Sequence, residues 1–200
     1  QPEYNGTQLI HSKVIASYLR QLLRNDLQYA PFRMEGMEQD VREMMEIDTP
    51  QGKLALQIGG TIDRLDSKGD TLRIVDYKTG GTPKTPENIE QLFTPADNRP
   101  NYIFQTFLYA AILCRKQSLK VAPSLLYIHR AASESYSPVI EMGAPRQPKV
   151  PVNNFAFFED EFRERLHGLL QEIFSQEETF SQTEDTRKCE YCDFRSLCKR

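Results

Sequence analysis

The stretch IVDYKTGG, residues 74–81, carries two charged side chains on a strand whose other residues indicate burial. Ile74, Val75 and Tyr77 favour a β-strand, and the two glycines mark its end. Side chains alternate across a strand, so Asp76 and Lys78 project from the same face. An exposed, ion-paired strand face is the commoner explanation of such a pair, so a functional explanation depends on the surrounding sequence.

A second strand precedes this one and forms a predicted hairpin with it. Residues 53–65 (KLALQIGGTIDRL) and 71–77 (TLRIVDY) both read as strands, and the turn DSKGD lies between them. Short turns that contain glycine commonly join antiparallel strands. We therefore predict a β-hairpin whose second strand ends in the DYK sequence.

The register predicted for this hairpin brings a second acid to the face of Asp76 and Lys78. With the turn centred on residues 68–69, Asp63 lies opposite Ile74 and shares that face; a slip of one residue would move it to the other face. Two neighbouring carboxylates repel each other unless a cation lies between them, and hard carboxylate oxygens suit Mg²⁺ or Mn²⁺. We therefore expect a metal-binding patch in which the lysine offsets the negative charge of a phosphate group.

The rest of the chain predicts helices around a small mixed sheet. The predicted elements are helices at 8–29, 101–116 and 155–178, a strand at 121–130, a possible strand at 46–49 and one helical turn within a proline-rich loop at 81–100. Strands in the middle of the chain, with helices before, between and after them, indicate an α/β fold. We expect residues 1–200 to form one domain.

Composition and charge exclude several classes of protein. The chain has 200 residues, of which 39% are hydrophobic and 26% charged, and its formal net charge of −3 argues against a strongly basic nucleic-acid-binding protein. No apolar stretch reaches the length of about 18–20 residues that a membrane span needs, and no basic and apolar leader marks secretion. We expect a cytoplasmic protein with no membrane contact. Because the sequence starts without methionine, we also expect it to be the C-terminal part of a longer protein.

Three motifs follow one another along the hairpin and the next helix. They are GGTIDRLD at 59–66, LRIVDYKTG at 72–80, and Gln105 with Tyr109 in FQTFLYAA. The last two residues are four apart, so they lie on one face of a helix. Together the motifs resemble the RecB-type branch of the PD-(D/E)xK nuclease superfamily. The resemblance implies a restriction-endonuclease-like core that hydrolyses phosphodiester bonds in DNA with the help of Mg²⁺ or Mn²⁺.

The resemblance also implies a role for each motif residue on the hairpin. Asp63 and Asp76 correspond to the metal-binding carboxylates, and the main-chain carbonyl of Tyr77 corresponds to a third metal ligand. Lys78 corresponds to the catalytic lysine.

Further residues are implied by the same resemblance. Gln105 and Tyr109 would position the substrate and the attacking water. Arg64 would anchor Asp63 or a phosphate from behind the metal ligands. Glu38, which we place on a helix before the hairpin, is a candidate for an additional acid, although a solvated helix charge is the better explanation of it.

The C-terminal tail carries the sequence CEYCDFRSLC, which holds Cys189, Cys192 and Cys198. Without a secretory signal, this clustering favours a metal site over disulfides. The tail resembles the C-terminal iron–sulfur staple of the AddB-like and CRISPR-adaptation nucleases, in which a fourth cysteine lies far upstream. The resemblance implies a [4Fe–4S] cluster in the full-length protein, with zinc as the alternative. Cys114, on an apolar helix, reads as a small buried hydrophobe.

The motifs favour a nuclease domain over two other classes. We expect a DNA-cleaving domain that acts in DNA repair or recombination beside a helicase domain or subunit. A catalytically inactive DNA-binding or scaffolding module of the same fold is the main alternative. A structural metal-ribbon protein is the third, and the tail is too short to organise a chain of 200 residues.

Overall fold

The computed structural model describes residues 5–133, 135–175, 179 and 181–199. The elements are α1 (Gly6–Tyr29), β1 (Arg33–Thr49), β2 (Gly52–Lys68), β3 (Thr71–Lys78), α2 (Glu90–Phe93), α3 (Asn101–Cys114), β4 (Lys120–Tyr127), β5 (Glu141–Met142), β6 (Val150–Pro151) and α4 (Glu159–Ile173). Short 3₁₀ turns lie at Ile128–Arg130, Phe155–Phe157 and Thr186–Cys189.

The sheet is mixed and has the strand order β1-β2-β3-β4. The first three strands pair antiparallel, whereas β3 and β4 pair parallel. A parallel pair needs a crossover connection, and α2 and α3 supply it here. The predicted mixed sheet with flanking helices is therefore confirmed.

Each face of the sheet packs against different helices. On one face, Ile74 belongs to the main core with Phe107 of α3 and Phe162 of α4. On the other face, Val75 packs in a smaller cluster that includes Tyr18 of α1. Alternation along β3 therefore directs its even-numbered residues, including Asp76 and Lys78, towards α3.

The hairpin register differs from the predicted one by two residues. Lys68 pairs with Thr71 and Leu65 pairs with Ile74, so residues 69 and 70 form the turn. Gly69 takes the left-handed conformation (φ +62°) that tight hairpin turns require. Because the shift is an even number of residues, it leaves every side chain on its predicted face.

Two predicted elements need correction. The possible strand at 46–49 is the end of the 17-residue strand β1, which begins at Arg33, so Glu38 lies on a strand and not on a helix. The helix predicted at 155–178 is a 3₁₀ turn at Phe155–Phe157 followed by α4, and residues 176–178 lie outside the described residues.

Candidate active site

Three elements bring the predicted catalytic side chains to one end of the sheet. Asp63 comes from β2, Asp76 and Lys78 come from the end of β3, and Gln105 and Tyr109 come from α3. The α3 crossover packs over the face of β3 that carries the acid and the lysine. The structure thus brings all five of these residues into a single connected patch.

The two acids are held from different sides. The main-chain N–H of Tyr77 donates a hydrogen bond to Asp63 Oδ2 (2.7 Å), which fixes that carboxylate beside β3. Asp76 is only 4% exposed. Its Oδ2 lies 2.5 Å from Lys78 Nζ, so the carboxylate and the ammonium form a close ion pair.

The environment of Asp76 favours a bound cation. Burial raises the pKa of Asp76 above its ordinary value; the Lys78 ammonium opposes this shift, and the Asp63 carboxylate adds to it. A buried acid with a second acid beside it gains stability from a metal ion between the two carboxylates. Carboxylate oxygens are ligands that Mg²⁺ and Mn²⁺ prefer. The residues therefore fit the divalent cation that the motifs imply.

A hydrogen-bonded chain connects Lys78 to α3. Lys78 Nζ donates to Gln105 Oε1 (3.4 Å), and Gln105 Nε2 donates to Tyr109 Oη (3.0 Å). The tyrosine thus fixes the orientation of the amide, so that its oxygen faces the ammonium. Lys78 is half-buried and held between an acid and an amide oxygen.

Gly60 in the first motif makes room for this chain. A Cβ at residue 60 would lie 2.7 Å from Tyr109 Oη, a distance that real Cβ atoms essentially never show. The tyrosine can therefore lie against β2 only because residue 60 has no side chain.

Tyr102 is a site residue that the sequence analysis missed. Lys78 Nζ lies 4.3 Å from the centroid of the Tyr102 ring, within the range of a cation–π contact. Tyr102 precedes Gln105 by three residues on α3, and i, i+3 spacing on a helix could have identified it.

Arg64 does not have the predicted role of anchoring Asp63. Its guanidinium is 3% exposed and donates to Asp66 (2.9 Å), Asp26 of α1 (2.8 Å) and the Tyr77 hydroxyl (3.1 Å). The reason is alternation: neighbours on a strand point to opposite faces, so Arg64 lies beneath α1 while Asp63 faces the site.

Glu38 lies across the ladder from Asp63 but is exposed. The neighbouring pairs are Met37 with Arg64 and Gln39 with Ile62. Glu38 itself has a left-handed backbone (φ +48°), which is uncommon for a residue other than glycine. Its proposed role as an additional acid stays a prediction.

The three tail cysteines are not brought together as a ligand set. Cys192 is exposed, whereas Cys189 and Cys198 are half-buried, and all three are free thiols. In the described part of the chain, no group of three or more His, Cys, Asp or Glu residues is arranged to hold a metal. The iron–sulfur or zinc site of the tail therefore stays a prediction. Cys114 is half-buried, where the sequence predicted a buried residue, and packs against the main core.

Comparison with known proteins identifies the family. The sequence matches the PD-(D/E)XK nuclease superfamily over residues 2–199, and the chain belongs to that superfamily. A search of curated proteins gave no match. The match confirms the restriction-endonuclease-like fold class and the general class of nuclease, while the RecB-type or AddB-like subtype stays a prediction. No helix among the described residues has the length and apolar character to cross a membrane.

Proposed function

We propose that this protein is a metal-dependent deoxyribonuclease that hydrolyses phosphodiester bonds. The observation that supports this best is the convergence of Asp63, Asp76, Lys78 and Gln105 on one patch. Each of the four belongs to a motif, and the contacts among them come from three separate elements of the fold. An ion-paired strand face of the ordinary kind is exposed to solvent, whereas Asp76 is 4% exposed and has a second acid, Asp63, beside it.

The carboxylates of Asp63 and Asp76 and the main-chain carbonyl of Tyr77 would hold the divalent cation. When bound, such a cation polarises the phosphate and lowers the pKa of a coordinated water. Asp63 is already oriented for this role by the hydrogen bond from the Tyr77 N–H.

Lys78 supplies positive charge next to the acids. Its ammonium would offset the negative charge that develops on the phosphate oxygens during in-line attack. The Gln105 oxygen holds that ammonium, and the Tyr109 hydroxyl holds the Gln105 amide. Tyr109 is thus a positioning residue, since it reaches the lysine only through the glutamine.

The test is cleavage of end-labelled linear DNA, single- and double-stranded, with Mg²⁺ or Mn²⁺. We expect the protein to cut DNA only when a metal is present and Lys78→Ala to lose the activity. Lys120→Ala is a matched control, because Lys120 begins β4 at the opposite end of the sheet and pairs with Asp70 at the surface. It should cut like the unaltered protein.

Other results would give different conclusions. Equal cleavage by the Lys78→Ala variant would point to a contaminating nuclease. Binding of DNA without cleavage, in this chain and in the full-length protein, would favour the inactive scaffolding module over the enzyme.

The cellular context is a proposal that rests on motif resemblance. The RecB-type order of motifs supports a role in DNA repair or recombination beside a helicase domain or subunit. The spacing of Cys189, Cys192 and Cys198 supports a [4Fe–4S] cluster in the full-length protein. Iron and acid-labile sulfide in anaerobically purified full-length protein would support the cluster, whereas zinc alone would support the alternative.

A further inference from the structure

An open cleft lies beside the candidate active site, at the start of α3. It has a volume of about 330 Å³, and its lining includes Gly81, Thr82, Arg99, Asn101, Tyr102 and Tyr127. This volume is within the range of sites that bind small organic groups. The cleft adjoins the site directly, because Tyr102 both lines it and contacts the Lys78 ammonium.

The Tyr102 ring remains accessible although it contacts Lys78. Tyr102 is 43% exposed, in contrast to Tyr127 on the same cleft, which is buried. An exposed aromatic ring at the edge of a cleft presents a flat apolar surface to a ligand.

Gly81 keeps the space beside the two rings open. Its backbone is in the left-handed region (φ +80°), and a Cβ there would lie 3.3 Å from Tyr102 Cε2 and 3.9 Å from Tyr127 Cε1. Any side chain at this position would therefore extend towards the rings and occupy part of the cleft.

Polar groups around the rings are suited to a neutral heterocycle next to a phosphate. Asn101 and Arg99 are joined by a hydrogen bond (2.8 Å), which leaves amide and guanidinium N–H groups at the lining. Asp97, an acid on this lining, pairs with Arg187 (2.5 Å), so its charge is offset. Lys84 holds the rim by donating to the carbonyl of Asn98 (2.7 Å).

We propose that Tyr102 is a stacking platform for an unpaired nucleobase of the nucleotide next to the scissile phosphate. This inference rests on the proposed function, because it takes nucleic acid as the ligand. Aromatic rings beside an amide and a guanidinium are the groups with which proteins stack and hydrogen-bond unpaired bases. A base stacked on Tyr102 brings its own phosphate towards Lys78, so the cleft selects strands or ends with unpaired bases.

The first test measures binding without cleavage, in EDTA, using fluorescently labelled oligothymidylate and an abasic oligomer of equal length. Both ligands carry the same phosphates, and only the first has bases. We expect the protein to bind oligothymidylate more tightly than the abasic oligomer. Tyr102→Leu should weaken binding of oligothymidylate by about 5- to 150-fold, the effect of losing one stacked base, and should leave abasic binding unchanged. Tyr102→Phe keeps the ring and should bind normally.

A control uses an aromatic residue that is even more exposed than Tyr102 but lies elsewhere on the surface. Phe157 is 84% exposed and lies outside the cleft, so Phe157→Leu should bind both oligomers like the unaltered protein. The chain contains no tryptophan. Tyr102→Trp therefore introduces a single tryptophan, whose fluorescence oligothymidylate should quench and the abasic oligomer should not; Phe157→Trp should show no quenching.

Three results would overturn the proposal. They are equal affinity for the two oligomers in the unaltered protein, unchanged oligothymidylate affinity in Tyr102→Leu, and equal loss for both oligomers. A fall in kcat of Tyr102→Leu with unchanged affinity would show instead that the ring acts only through Lys78. Because binding is measured without metal, Tyr102-dependent binding by a protein that never cuts DNA would reject the nuclease and keep the stacking site. Cleavage of DNA by a protein whose binding does not depend on Tyr102 would keep the nuclease and reject the stacking site.

Discussion

Gly60 affects both the packing of the fold and the position of the proposed catalytic lysine. Its neighbour is the hydroxyl of Tyr109, which orients Gln105 and through it Lys78. Gly60→Ala should displace the tyrosine and lower the free energy of unfolding by about 1–3 kcal/mol, the usual effect of overpacking. Nuclease activity should fall by up to about 100-fold, since a misplacement of about 1 Å can have that effect. Urea denaturation and the cleavage assay measure the two effects.

Two further variants control this prediction. Gly168 lies on the exposed side of α4 with open space at its Cβ position, so Gly168→Ala should raise stability by about 0.5–1 kcal/mol and leave activity unchanged. Adding Tyr109→Phe to Gly60→Ala removes the atom nearest the new methyl group and should recover part of the lost stability. No recovery would show that the methyl group clashes with something other than the hydroxyl.

The raised pKa of Asp76 predicts how metal binding depends on pH. Burial favours the protonated acid, so this form persists to a higher pH than in an ordinary aspartate, whose pKa is about 4. A cation must displace that proton, so Mn²⁺ affinity should fall early on acidification and binding should release protons. The raised pKa also means that protonation of Asp76 adds to the free energy of unfolding of the metal-free protein at low pH. This contribution is lost as the pH rises through the raised pKa.

Titration calorimetry in two buffers with different heats of ionisation measures the proton release at about pH 5. Asp76→Asn removes both a ligand and the acidic proton, so it should bind Mn²⁺ more weakly, and the binding that remains should release fewer protons per ion than in the unaltered protein. Asp70→Asn serves as the control, because the pKa of this surface acid is lowered by its bond to Lys120 and it lies at the far end of the sheet. Binding of Mn²⁺ without proton release in the unaltered protein would contradict the prediction.

The sequence correctly predicted which face of the hairpin carries Asp63, Asp76 and Lys78, because the face depends only on whether a position in the strand is odd or even. The predicted register was wrong by two residues, yet Asp63 still reaches the Tyr77 N–H, since an even shift preserves faces. The same parity argument, applied to Arg64, would have placed it on the opposite face. Tyr102 was missed because no motif includes it, although its helical spacing from Gln105 was available.

At the scale of elements, β1 was the largest omission. Its sequence RMEGMEQDVREMMEIDT is rich in Met and Glu, residues that favour helices, and burial follows no simple alternation along it. Much of β1 pairs with residues 52–63 of β2, which extend beyond the end of β3. Along this part, the second edge of β2 is not paired with β3. Only Val41 and Ile47 of β1 are buried, and two buried positions six residues apart leave no clear hydrophobic period in the sequence.

A partly buried ion pair joins α1 to the sheet. Asp26 of α1 accepts two hydrogen bonds from Arg64, whose side chain is 3% exposed. Asp26→Ala should lower the free energy of unfolding by about 1.5–3 kcal/mol, the value of a hydrogen bond to a charged group. Arg64 keeps Asp66 as a partner, so the loss should stay below that of an isolated buried charge.

Urea denaturation measures this loss, and Asp70→Ala is the matched control. Asp70 pairs with Lys120 at the surface, where both side chains are well exposed, so its removal should leave the unfolding free energy nearly unchanged. Equal effects of the two substitutions would mean that α1 is held by apolar contacts alone.

At the scale of the whole molecule, the two sides of the sheet differ in how firmly they are covered. The main core unites α3 and α4 with the sheet, whereas α1 contributes Tyr18 and Leu22 to a small cluster. Exposed apolar residues occur along the whole of α1, among them Ile10 and Leu23, but the residues that join this cluster lie in the second half of the helix. Stability should therefore decrease from the core towards the start of α1.

Hydrogen exchange followed by mass spectrometry tests this gradient in the metal-free protein. Amides of residues 6–16 should exchange fastest, those near Asp26 more slowly, and those of β3 slowest, because opening them requires global unfolding. Uniform protection along α1 would contradict this order and would show that the helix opens as one unit with the sheet.

Tyr77 has a different task on each side of the sheet. Its main-chain N–H holds Asp63 on the reacting side, and its hydroxyl accepts from Arg64 beneath α1. Every residue except proline offers the same N–H, so the hydrogen bond to Asp63 does not require a tyrosine. The side chain of residue 77 thus serves the packing of α1, whereas its main chain serves the candidate active site. During evolution, substitutions of the Tyr77 side chain can therefore change the contact with Arg64 while the main-chain hydrogen bond to Asp63 is kept.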